Sequence, residues 1–229
     1  MFVERLLRRH VGRLPWLARY FLGKANIGGV NIVIDRHYEY AFTMKCLAEL
    51  GARGMDILEV GGCGSVLPLM MAGLGNRVVE VDLYPWDIKY PDLRVITGNV
   101  LDVQLDEHFD VAVCISVVEH IGLSRYGPPT ERLDAAAVAA MRKHLRDEGR
   151  LILSVPYGQD RTFPRYHHAY DARTFAVLTE GFAVERQEFF APLGRIGSLE
   201  PCAEAETHRF GRRPLPYAIT CALLRKIPS

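Results

Sequence analysis

Paired cysteines, long apolar runs and net charge are all scarce in this chain. Its 229 residues hold five cysteines, Cys46, Cys63, Cys114, Cys202 and Cys221, an odd number with no Cys-x-x-Cys pair. Neither a disulfide framework nor a zinc site is expected from that pattern, and a reducing cytoplasm is the compartment it suits. No stretch approaches the length of a membrane span, and the apolar residues near the N-terminus are interrupted by Arg5, Arg8, Arg9, Arg13 and Arg19. A signal-peptide core and a transmembrane helix are therefore not expected. The net charge is only +1, and it is uneven: residues 1–25 carry +5, from six basic side chains against Glu4, which leaves −4 for the rest. That distribution argues against a chain-wide nucleic-acid surface, although a local basic patch can steer an anionic substrate. Internal repeats and low-complexity tracts are also missing.

What is present suits one ordinary folded domain. Hydrophobic residues make up 49% of the chain and charged residues 24%, enough for a full core at this length. Residues 1–35 read as an N-terminal helical arm and 36–229 as the domain proper. In the arm, Val3, Leu6, Leu7, Val11 and Leu14 recur at helical spacing until Pro15 interrupts them. Packing on the domain is the plain role for such a stripe; a lid, a homodimer contact or a membrane-surface contact are the alternatives. A second helix is predicted over Arg36 to Leu50, ending at Gly51, with Tyr38, Tyr40 and Phe42 as core candidates.

From Asp56 onward strand-like and helix-like runs alternate, the signature of a parallel sheet flanked by helices. Strands are predicted at 56–60, 77–81, 94–97, 109–115 and 150–155. Helices are predicted at 66–74, from the Pro128-Pro129-Thr130 start to Gly149 with Leu133, Val138, Met141 and Leu145 on one face, and from the Asp171 cap to Glu180. Two further runs, 182–190 and 217–224, flank a polar insert. Joined without a helical crossover, they fit an antiparallel pair at the sheet edge.

The segment Asp56-Ile-Leu-Glu-Val-Gly-Gly-Cys-Gly-Ser-Val-Leu67 carries a buried strand into a glycine-rich turn, with Glu59 two residues before the first glycine. Small residues there let the backbone approach a nucleotide-like ligand, and the following helix points its free N–H groups at the same place. This segment resembles the first motif of the class I S-adenosylmethionine-dependent methyltransferases, and the likeness runs on through the next hundred residues. The resemblance implies a Rossmann-like α/β fold: a seven-stranded, mostly parallel sheet with helices on both faces and a C-terminal antiparallel hairpin. It implies S-adenosylmethionine as cofactor, with Glu59 near its methionine part and Gly61, Gly62 and Gly64 beneath it. The order Gly62-Cys63-Gly64-Ser65 departs from the family's usual Gly-x-Gly-x-Gly, so the pairing of N–H groups with cofactor atoms is open.

Asp82, ending the second strand, is matched to the ribose hydroxyls and Leu83 to the adenine face; a turn or cap role is the structural alternative for Asp82. Asn99 stands where the family places an acid near the adenine amino group, with Asp102 as fallback and a plain loop as the alternative for either. Ile115-Ser-Val-Val-Glu-His-Ile121 resembles the boundary between cofactor and acceptor, which assigns Ser116 to the cofactor and Glu119 to the substrate. It also makes His120 the first candidate to remove the acceptor's proton or hold its hydroxyl, because imidazole titrates near neutrality, with a hydrogen-bonded structural histidine as the plainer alternative. Gln159 to Tyr170 reads as an acceptor-binding loop with Tyr157, Arg161 and Tyr166 as contacts. His167 and His168, the other candidate bases, sit side by side there, and adjacent strand residues face opposite ways, so no metal site is expected.

Short matches at Glu39-Tyr40, Glu119-His120 and Val155-Pro-Tyr-Gly158 are also similar to methyltransferase-like proteins of polysaccharide and natural-product pathways. The resemblance implies methyl transfer to a small polar acceptor, with O-methylation of a sugar or secondary metabolite foremost. Two other readings stand beside it. One is an NAD-dependent oxidoreductase, against which Leu67 counts because Gly-x-Gly-x-x-Gly from Gly62 needs glycine there. The other is a noncatalytic module with the same fold.

Overall fold

The computed structural model describes residues 24–27, 30–33, 36–123, 132–193, 199–212, 214 and 216–228. The 2–14 helix expected in the arm and the Pro128-Pro129-Thr130 helix start lie outside the described residues. Later in the arm, β1 (Lys24–Ile27) and β2 (Val30–Val33) pair antiparallel with Lys24 opposite Val33, so this part is a hairpin and not helix.

The helix α1 (His37–Glu49) leads to β3 (Asp56–Val60), α2 (Leu67–Gly73), β4 (Arg77–Asp82), β5 (Leu93–Thr97) and β6 (Phe109–Ile115). Then come α3 (Asp134–His144), β7 (Leu145–Tyr157), a small hairpin of β8 (Arg161–Phe163) and β9 (His167–Ala169), and α4 (Ala172–Leu178). The chain closes with β10 (Phe182–Ala191), β11 (Glu200–Cys202), α5 (Glu204–Thr207) and β12 (Ala218–Lys226). The main sheet runs β11-β10-β12-β7-β6-β3-β4-β5. Its centre is parallel, while β12 joins β7, and β10 joins β12, antiparallel, as the two terminal runs suggest.

Among the described residues the sheet has eight strands, not the expected seven. The addition is β11, a three-residue edge strand paired with Phe189–Ala191. A strand of Glu-Pro-Cys carries no alternation to reveal it, and Pro201 is tolerated because an edge strand leaves one side unpaired. A second correction concerns the helix before β7. It stops at His144, and Leu145 already belongs to the strand. Gly149 is no helix cap: the pairing of β6 with β7 jumps from Phe109 opposite Leu145 to Val111 opposite Arg150. Glu148 takes φ +60 within that bulge, and a Cβ on Gly149 would stand 2.9 Å from the Arg146 carbonyl oxygen.

Alternation along the buried strands divides the core between two faces. Ile57, Val78, Val111, Val113 and Ile152 meet Phe42 and Leu47 of α1 and Met71 of α2. Leu58, Val79, Ala112, Cys114 and Leu153 meet Val138 and Met141 of α3 and Phe175 of α4. Strands covered on both faces are near-continuous apolar runs for this reason. Among the described residues no helix is long and apolar enough to cross a membrane.

The α4 start bears out the Asp171 cap: its carboxylate accepts the Thr174 N–H at 2.8 Å, while Thr174 Oγ1 accepts the Asp171 N–H at 3.0 Å. The Thr174 N–H bond, above all, holds the carboxyl below its usual range. Asp171→Ala should lower the unfolding free energy by about 1 kcal/mol in urea titrations near neutral pH. A depressed folded pKa makes this contribution present above about pH 4 and lost as the pH falls, so the two proteins should converge in acid.

Candidate active site

The chain runs outward from β3 to β4 and β5 and then returns to β6 on the other side of β3, so a topological switch point lies between β3 and β6. Crevices outside the carboxyl ends of strands at such points host ligands in open α/β sheets. Two turns meet there. Gly61 follows β3 at φ +82, and a Cβ on it would strike the Val117 side chain beyond β6. At Gly62 the missing Cβ leaves room for the Glu59 carboxylate, which accepts the Gly62 N–H.

Glu59 is buried, and its Oε2 has no hydrogen-bond partner among the described residues. Burial first, and then the charge of Asp82, push its pKa up to about 8 against the pull of the Gly62 N–H and Arg36. Glu80 lies beside it in register on β4, also buried, and neither of its oxygens has a hydrogen-bond partner among the described residues. Asp82, at the end of β4, accepts the Cys63 N–H at 3.1 Å and the Tyr84 N–H at 2.9 Å. It thereby ties the glycine turn to β4, and a carboxylate with four lone-pair sites can still accept a diol. Leu83 is 51% exposed beside it. Asn99 follows β5 with Oδ1 accepting the Leu101 N–H at 3.1 Å, and Asp102 is exposed one turn on.

Beyond β6, Ser116 takes φ +52, a left-handed conformation uncommon for serine. Val118–His120 then form one turn of 3₁₀ helix. His120 Nδ1 lies 2.5 Å from the Tyr166 carbonyl oxygen. A carbonyl only accepts, so Nδ1 bears the proton and Nε2 the lone pair. Nε2 is 3.7 Å from Oε1 of the buried Glu119.

The predicted acceptor loop is the β8–β9 hairpin. His167 packs between Phe163 and Tyr217, with ring centroids 5.4 and 4.7 Å away. His168 is buried, with Nδ1 2.7 Å from Thr162 Oγ1, and burial, aided by Arg132, lowers its pKa. The two histidines thus point to different surroundings. Tyr166 is 46% exposed. Arg161 is also exposed and donates to the Arg212 carbonyl at 3.1 Å. Tyr157 is turned inward: its ring packs on Phe175 and Phe189, and its hydroxyl donates to Glu204 at 2.6 Å.

Sequence reasoning missed a polar layer supplied by α1. Glu39 accepts hydroxyls from Ser116 and Ser154, Arg36 donates to the Ile115 carbonyl, and Tyr40 shares a hydrogen bond with Ser65 of the glycine turn. The available signal was Ser154, a serine inside the otherwise apolar run Leu151 to Val155. At the opposite end of the sheet a cavity of about 530 Å³ is lined by Arg77, Arg94 and Arg146. Each of these is already paired with a carboxylate, Arg77 with Asp56, Arg94 with Glu107, and Arg146 with Asp56 and Asp110.

A solved N1-methyltransferase for 1,6-didemethyltoxoflavin from Burkholderia thailandensis, bound to that compound and S-adenosylhomocysteine, has a TM-score of 0.61 to this chain. The match covers 85% of this chain and 80% of that one at 16% identity. Magnesium protoporphyrin IX methyltransferase from Synechocystis, with bound S-adenosylmethionine, has a TM-score of 0.57 over 97% of this chain and 96% of its own, also at 16% identity. The chain therefore shares the fold of these S-adenosylmethionine-dependent methyltransferases. Within that methyltransferase fold, a ubiquinone biosynthesis O-methyltransferase of Psychrobacter cryohalolentis is 30% identical over 101 residues, 38% of this chain. The chain spans less than two-fifths of the length of the curated relatives first matched, 39% and 38%. The family described as "Caenorhabditis protein of unknown function, DUF268" matches residues 100–188.

The raised pKa of Glu59 predicts a pH slope in a methyltransferase fold free of ligand. From the ordinary value of 4.5 up to about 8, the folded chain keeps a proton that the unfolded chain has released. Its contribution to stability is complete below that window and is lost as the pH rises through it. Glu59→Gln should flatten the fall in urea midpoints between pH 5 and 8.5.

Proposed function

We propose that this chain is an S-adenosylmethionine-dependent methyltransferase acting on a small polar acceptor, with O-methylation of a sugar or secondary metabolite as its reaction. The observation that carries the proposal is the convergence of Glu59, the glycine turn and Asp82 at the switch point, one strand away from His120. The residues fit the cofactor. The buried Glu59 Oε2, without a partner among the described residues, suits an ammonium group, and Asp82 suits a ribose diol. Gly61, Gly62 and Gly64 keep side chains clear of it, with Leu83, Asn99, Asp102 and Ser116 as flanking contacts. When bound, the cofactor supplies a methyl group already activated by a sulfonium.

The chain's own residues then align the acceptor, exclude water and take a proton. His120 is the preferred base, because the Tyr166 carbonyl fixes the proton on Nδ1 and leaves the Nε2 lone pair to receive another. Glu119, 3.7 Å from Nε2, steadies the imidazolium that results. His167 and His168 are buried and stand second. Tyr166 and Arg161 face the acceptor from the hairpin, whereas the inward Tyr157 supports the hairpin's base. The activities of the relatives, an O-methyltransferase of ubiquinone biosynthesis and an N-methyltransferase of 1,6-didemethyltoxoflavin, support a small acceptor.

Calorimetry should show S-adenosylmethionine and S-adenosylhomocysteine binding, and tighter binding of NAD would overturn the reading. Asp82→Ala should weaken cofactor binding by about 1–3 kcal/mol. With an acceptor found by release of S-adenosylhomocysteine, His120→Ala should slow transfer at least about 10²-fold with cofactor affinity nearly intact. A loss below about tenfold would move the role to His167, His168 or simple positioning.

A further inference from the structure

The first turn of α1 grips the chain where β6 ends. Arg36 and Glu39 are three residues apart and so share one side of that turn. Arg36 Nη1 donates to the Ile115 carbonyl at 2.8 Å, and the next residue, Ser116, donates its hydroxyl to Glu39 Oε1 at 2.6 Å. Ser154 on neighbouring β7 donates to the same Glu39 oxygen at 2.5 Å, and its Oγ accepts the Ser116 N–H at 3.0 Å. Glu39, Ser116 and Ser154 are all buried. Losing an acceptor there strands a donor away from water, so the arrangement holds firmly.

What this grip holds is an unfavourable backbone. Ser116 has φ +52, a region that residues with a Cβ rarely adopt and that glycine enters readily. Val117, the next residue, fills the space that a side chain on Gly61 would need. The conformation of Ser116 therefore decides whether Val117 supports the glycine turn. We infer that Glu39 is a positioning residue: it holds Ser116 in the left-handed conformation, keeps Val117 against Gly61, and so sets the shape of the cofactor-binding turn. Only the identity of the ligand in this inference rests on the methyltransferase reading.

The test is a double-mutant cycle. Glu39→Met keeps a side chain of similar length and removes the acceptor, while Ser116→Gly lets the backbone reach φ +52 unaided. Calorimetry with S-adenosylmethionine should show Glu39→Met weakening affinity about tenfold when Ser116 is intact and less than about twofold in the Ser116→Gly protein. Glu39→Gln, which retains a carbonyl acceptor, should bind within about threefold of the parent. Equal losses in both backgrounds, or none in either, would overturn the inference, since a role in anchoring α1 alone is not rescued by glycine. Ligand-free crystal structures separate this from the function: Glu39→Met should move Ser116 out of the left-handed region and Val117 away from Gly61. An unchanged φ there refutes the positioning role whatever the protein binds. Failure of the parent to bind S-adenosylmethionine refutes the methyltransferase reading instead. If Glu39→Met does not fold, Ser154→Ala loosens the same grip from β7 and should follow the same cycle with about a threefold loss.

Discussion

Two turns occupy one small volume at the switch point of the sheet, and the rest of the site is arranged around their contact. Gly61 has no side chain where Val117 inserts, and Gly62 has none where the Glu59 carboxylate curls beneath the backbone. The first vacancy is filled from beyond β6 and the second from β3 itself, so Val117 locks the β3 and β6 turns together while Glu59 packs beneath its own turn. Asp82 adds a third strand by accepting the Cys63 N–H. A substitution with a Cβ at Gly61 would force φ +82 on an unsuitable residue and push Val117 aside together. The proposed cofactor site is thus made by close approach, and side-chain chemistry is added at its rim.

The buried charges divide according to their surroundings. Burial pulls the Arg36 guanidinium pKa down, but Glu39, Tyr40, Tyr217 and Glu119 together outweigh it, so the group stays cationic. Glu59 lies in the same layer, yet burial and Asp82 outweigh Arg36 there, and the carboxyl keeps its proton near neutrality. The difference follows from pairing: a buried charge persists when opposite charge and hydrogen bonds offset its lost hydration, and otherwise neutralises. A cationic ligand near Glu59 shifts that balance toward the ionised form. The turn is therefore suited to accept positive charge while resting without a bare buried anion.

Much of the fold was legible because its strands are buried on both faces. Residues 56–60 and 109–115 read as near-continuous apolar runs, broken only by Asp56, Glu59 and Asp110, and the structure returns those same bounds. Asp171 and Gly51 marked helix ends through local chemistry that does not depend on distant contacts, a cap with Thr174 and a φ of +67. The failures are non-local. The strand β11 forms because β10 offers an edge, and the bulge after α3 forms because β7 must regain register with β6. In the candidate site, Glu59 and Gly61 stood out in a contiguous pattern and Asp82 at the end of the second strand. Glu39 was marked only by the short Glu39-Tyr40 match, with no role attached, because its partners Ser116 and Ser154 lie 77 and 115 residues away. A helix residue that bonds two strands leaves no period to read, only a serine in an apolar run.

The same imidazole links the proposed chemistry to the hairpin above it. His120 Nδ1 donates to the Tyr166 carbonyl, so the ring holds the β8–β9 hairpin over the strand ends while its other nitrogen faces toward Glu119. Taking a proton at Nε2 converts the ring to imidazolium. Its Nδ1–H then becomes a charge-assisted donor, and the bond to the hairpin strengthens rather than breaks. Glu119 meanwhile acquires an opposite charge within 3.7 Å in a buried setting, where such attraction is weakly screened. In the proposed reaction, proton removal and the hold of His120 on the hairpin therefore reinforce one another. A lysine in place of His120 offers a charge without two opposed nitrogens, and so supplies neither the fixed tautomer nor that coupling.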